Sequence, residues 1–106
     1  MKISILGTEY DYEVIRRDDD SRLRGNDGFT DTSDKTIRVA SDFYEDEPDA
    51  IKNLNTYKSK VKRHEAVHAF LYESGLCEWY NDERLVDWIA VQFPKMFAVF
   101  KEIEAI

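Results

Sequence analysis

Both histidines of the chain fall in the stretch KRHEAVHAF, residues 62–70, where His64, Glu65 and His68 are spaced H-E-x-x-H. On a helix, residues four apart lie one above the other, so His64 and His68 can present two imidazoles to a single ion. Glu65 is rotated by about 100° from His64. Its carboxylate can therefore stand beside a metal without ligating it and take a proton from a metal-bound water. Zinc lowers the pKa of that water to about 7, where a carboxylate can complete its activation. The pattern predicts Zn2+ as cofactor, peptide-bond hydrolysis as chemistry and Glu65 as catalytic base. The flanking residues, VKRHEAVHAFLYESGL, are helix formers and apolar residues closed by a glycine. On its own, such a pair of histidines also suits an ordinary packed or solvated helix face.

Catalytic zinc has three protein ligands and one open position. No third histidine exists, so the third ligand must be a carboxylate or Cys77. The segment NDERLVDWIA, residues 81–90, carries Glu83 and Asp87 four apart on one expected helix. A tight connection and an antiparallel return let Glu83 complete a His64–His68–Glu83 set. Asp87, one turn further, can accept the second ring N–H of a histidine and fix its tautomer. Cys77 reads as a small buried hydrophobe rather than a ligand.

With those residues in place, the chain resembles the gluzincin zinc peptidases, in which H-E-x-x-H is followed by E-x-x-x-D on the next helix. Size and spacing are similar to the minimal single-domain members. The segment ERLVDWIAVQFP is also similar to the ImmA/IrrE-type helix, where E-x-E-A-N/D-x-F-A runs towards a proline. The match covers residues 58–94 and sets Glu83 on the first glutamate, Asp87 on the Asn/Asp, Ala90 on the alanine and Pro94 near the proline. Leu85 departs from the second glutamate. The resemblance implies a zincin-like fold, an endopeptidase and a prophage setting. It also implies an extended polypeptide substrate added as a strand at a sheet edge, for which Thr36, Ile37, Arg38, Val39 and Ala40 (TIRVA) are the candidates; the same residues equally suit an interior or capped edge strand. Larger gluzincins carry a further histidine or tyrosine for the oxyanion. Here Tyr72, Tyr80, Tyr44 or Tyr57 would have to serve. The alternative is a non-catalytic or latent protein of the same fold, a zinc-stabilised interaction module, whose end FKEIEAI could lie in the cleft.

The elements that must position these groups read as sheet first and helices second, an α+β plan in a single domain over residues 1–106. KISILG and YDYEVIR alternate as two strands about a Gly7-Thr8 turn. GFTD and TIRVAS form a second hairpin about TSDK. From Pro48 onward the period becomes helical, with Ile51, Leu54, Val61, His68, Leu71 and Gly75 near one stripe and Gly75 as C-cap. One long helix or two abutting ones fit this segment. Asn81 or Asp82 caps the Glu83 helix, and Pro94 is expected to kink or end it before a C-terminal helix. Trp79, Trp88 and the C-terminal phenylalanines read as core.

A content of 42 % hydrophobic residues supports a packed core. A net charge of −7, from 22 acidic and 15 basic residues, argues against nucleic-acid or anionic-membrane partners. The basic run KSKVKR, residues 58–63, reads as a solvated helix face. A single cysteine rules out an internal disulfide and fits a reducing, cytoplasmic setting. No signal peptide and no apolar run of membrane-spanning length is seen.

Overall fold

The computed structural model describes residues 1–43 and 53–106. The expected helix start at Pro48, and the roles given to Ile51 and Tyr44, lie outside these residues. The described residues form an α+β fold, a four-stranded sheet and two α-helices. Strand β1 is Lys2–Ile5, β2 is Thr8–Ile15, β3 is Gly28–Asp31 and β4 is Thr36–Ala40. Helix α1 is Leu54–Glu73 and α2 is Glu83–Glu102.

The first hairpin turns at Leu6-Gly7, one residue earlier than Gly7-Thr8. Both turn residues have positive φ, 50° and 88°, as the twist-matched two-residue hairpin turn requires. The second hairpin turns over residues 32–35 as read, with Asp31 accepting the Ser33 N–H at 3.0 Å. What the sequence does not show is how the hairpins join. Between β2 and β3 the chain forms two single-turn 3-10 helices, Arg17–Asp19 and Ser21–Leu23, and crosses to the far edge. It returns through β4, which pairs parallel with β2 and antiparallel with β3, giving the order β1-β2-β4-β3.

This order corrects one expectation. TIRVA is an interior strand, hydrogen-bonded on both sides, so Thr36, Ile37, Arg38, Val39 and Ala40 have no edge to offer a substrate. Four of the five are buried, as a central strand demands. The edge strand next to it is β3.

Helix α1 lies across one face of the sheet. Val61 packs with Val39, Ala40, Leu23 and Phe43; Ala69 packs with Ile37, Tyr10 and Ile5. Gly75, at φ 77°, closes α1 as expected, with Gly75 N–H donating to Tyr72 and Leu76 N–H to Leu71. Glu73 in the last turn opposes the helix dipole. Lys35, the Tyr10 hydroxyl and the Thr8 hydroxyl all reach it, at 2.8, 2.7 and 3.0 Å, and hold its carboxyl below the usual range. These bonds tie the helix end to the sheet.

Helix α2 packs on α1 through Val86 and Ala90. Asp82 caps it, accepting from the Arg84 and Leu85 N–H groups. Pro94 does not end the helix, and the C-terminal helix expected beyond it is the continuation of α2 to Glu102. A proline cannot donate to the carbonyl four residues back, here Ala90. The Arg63 Nε of α1 takes that acceptor at 2.6 Å. Arg63 and Lys60, which bonds Asp87, thus face α2 rather than forming a solvated basic face. Trp88, Phe93 and Phe97 are exposed, not core, because α2 buries little beyond Val86 and Ala90, and Trp79, in the connection before α2, is exposed too. Cys77 is exposed as well. No helix among the described residues is long and apolar enough to cross a membrane.

Candidate metal centre

Helix α1 from Tyr57 to His68, the start of α2 and the edge of β3 border a cleft of about 410 Å³. Its lining includes His64, Glu65, His68 and Glu83. Because α1 and α2 run antiparallel, Glu83 at the start of α2 comes level with the two histidines. The His64 and His68 Nε2 atoms are 3.2 Å apart. Glu83 places one carboxylate oxygen 2.9 Å from the first and the other 3.1 Å from the second. One ligand atom from each of the three residues lies within 4.8 Å of the others, a cluster that could hold a metal ion.

The far sides of the rings decide what those Nε2 atoms are. The His68 Nδ1 faces the Tyr80 carbonyl, which can only accept, so Nδ1 carries the proton. His64 Nδ1 stands 3.2 Å from Asp87 Oδ1 and donates to it. The Lys60 ammonium, 3.0 Å from the same oxygen, and then the His64 ring hold Asp87 below the usual carboxylate range, so it stays an acceptor. In their neutral form, with the proton on Nδ1, both imidazoles turn a bare Nε2 lone pair towards each other and towards the Glu83 carboxylate. Three acceptors around one point repel unless a cation, metal ion or proton, sits among them. The donor set fits a metal. No protein-family model matches this chain, and neither a curated protein nor a solved structure matches it.

Glu65 is 7 % exposed and stands outside the three-ligand cluster. Burial pushes its carboxyl up to about 7, against the opposing pull of His68 and the Thr30 hydroxyl. Glu83 is 68 % exposed at its side chain, against 16 % for His64 and 9 % for His68. The cluster is thus walled by protein on the histidine side and open towards water on the glutamate side.

The structure brings His64, His68, Glu83 and Asp87 together and leaves TIRVA outside the cleft lining. Tyr57 and Tyr80 line the cleft, whereas Tyr72 packs edge-on against Tyr80 and is not part of the lining. The Tyr57 hydroxyl donates to Asp27, whose other oxygen meets Arg17 at 3.1 Å. No residue from Lys101 to Ile106 lines the cleft. Three contributors escaped the sequence reading. Lys60 had a signal, since Lys60, His64 and His68 form one i, i+4 ladder. Gly28 and Thr30 had none, because their part depends on the strand order.

Proposed function

We propose that the chain is a zinc-dependent endopeptidase of zincin-like fold that acts on extended polypeptide. The observation that supports this best is the pairing, in one open cleft, of a three-residue ligand cluster with the buried carboxylate of Glu65. Two imidazole nitrogens and a carboxylate are a donor set that suits zinc. Bound there, zinc would supply Lewis acidity to a carbonyl and acidify a water.

The chain's own residues supply the rest. His64, His68 and Glu83 would hold the ion, with Asp87 and the Tyr80 carbonyl fixing the two imidazole tautomers. Glu65 would accept a proton from the attacking water and pass it to the leaving amine. The substrate strand belongs on β3, which among the described residues pairs only with β4 and borders the cleft. Main-chain pairing there selects an extended backbone with little regard for side chains. The second reading, a zinc-stabilised interaction module, draws on the Tyr57 hydroxyl, which is engaged by Asp27 rather than aimed at a reacting carbonyl.

Protein purified without chelator should contain zinc in about one-to-one ratio. Glu65→Gln should keep that zinc and lose peptide cleavage by on the order of a hundredfold or more. Unchanged cleavage in this variant sinks the mechanism. Zinc without cleavage in the parent chain favours the module.

A further inference from the structure

We infer that Gly28 and Thr30 of β3 are positioning residues for Glu65, so that the strand edge that takes the substrate also aims the base. The ladder sets this up. Ala40 N–H donates to the Asp27 carbonyl at 2.8 Å, so Asp27 turns its main chain towards β4. In an antiparallel pair, such residues alternate with ones whose N–H and C=O point away. With Gly28 opposite Val39 and Thr30 opposite Ile37, it is Gly28 and Thr30 that turn their main-chain groups to the open edge.

Positions 28 and 30 share one face of the strand, and that face meets α1. Thr30 Oγ1 lies 2.7 Å from the Glu65 carbonyl and 3.0 Å from Glu65 Oε1. A Cβ at position 28 would stand 3.0 Å from Glu65 Cγ, 3.2 Å from Glu65 Oε2 and 3.1 Å from the Arg38 carbonyl. A side chain there is tighter than ordinary contact, so Glu65 or the strand would have to give by a few tenths of an ångström. The carboxylate is seated against a strand that lacks a side chain at 28 and is met by a hydroxyl from 30. A peptide hydrogen-bonded to the outward groups of these two residues therefore lies beside the groups that set Glu65. The catalytic consequence rests on the peptidase reading, whereas the seat stands or falls without any reaction.

The test uses the full zinc-loaded chain. Gly28→Ala is measured by urea unfolding in the parent and in Glu65→Ala. It should lower the folding equilibrium constant by about tenfold in the parent, and several-fold less once the Glu65 side chain is gone. An equal effect in both backgrounds overturns the seat. For the positioning role, Thr30→Val should lower kcat at least about tenfold with KM within about threefold. Thr30→Ser should restore most of the loss, and zinc content should not change in either. If Thr30→Val cleaves as well as the parent, Thr30 does not aim the base. A parent chain that cleaves nothing counts against the peptidase reading, and the unfolding cycle still decides the seat.

Discussion

Asp87 has two duties that pull on one oxygen. It accepts the His64 ring proton at 3.2 Å and the Lys60 ammonium at 3.0 Å, both at Oδ1. The first bond fixes which His64 nitrogen is free for a metal; the second keeps the carboxylate ionised. Asp87→Asn preserves the size but allows the amide to present N–H groups to His64, which favours the wrong tautomer. Zinc affinity should fall by about 10–100-fold, read by competition with a chromophoric chelator. Unchanged affinity would mean that the His64 orientation does not depend on Asp87. Lys60→Met tests the other half, because it removes the ammonium but leaves the His64 bond. It should weaken zinc less than Asp87→Asn does.

Elements carry the part of the design that sequence spacing shows only in fragments. The i, i+4 pairs His64–His68 and Glu83–Asp87 were legible because a helix fixes their geometry locally. The caps Gly75 and Asp82 and the turn at residues 32–35 were legible for the same reason. The continuity of α2 was not, because the group that takes the Ala90 carbonyl left by Pro94 is Arg63, 27 residues before Ala90 on α1. That pairing makes a sharp prediction. Arg63→Met keeps the aliphatic stem and strands the Ala90 carbonyl, which should cost about 1–3 kcal/mol in urea unfolding. In a Pro94→Ala background the helix regains its own donor for Ala90, so the same substitution should cost clearly less. Equal costs would show that Arg63 acts through packing alone. The interior position of TIRVA was hidden for a related reason. Both hairpins were readable, but nothing local states that β4 inserts beside β2 in parallel, and that insertion is what hands the edge to β3. Trp88 is exposed because it stands on the face of α2 opposite its buried neighbours Val86 and Ala90.

At the scale of the whole molecule, the candidate site sits where three units meet: His64, Glu65 and His68 from α1, Glu83 and Asp87 from α2, and Gly28 and Thr30 from β3. The sheet and α1 share two core clusters, one around Leu23 and Val61 and one around Ile5 and Ala69, but α2 buries only Val86 and Ala90. A metal held between α1 and the first turn of α2 would therefore fasten the element with the least burial of its own. Ligand binding to the folded state adds about 2.7 kcal/mol when free zinc exceeds its Kd a hundredfold. For a domain of this length each kcal/mol moves the melting temperature by about 4–8 °C. Chelation should then lower Tm by about 10–20 °C, and His64→Ala should melt like the chelated parent with no further response to chelator. Low pH should act in the same direction, since the imidazoles must be unprotonated to bind. The loss should also be uneven. Amide exchange in the first turns of α2 should speed up on chelation well before exchange in β2 and β4, whose hydrogen bonds are flanked on both sides by other strands. A melting curve indifferent to chelator, or exchange that rises equally in α2 and the central strands, would remove the metal from its place as the fastening of the two helices.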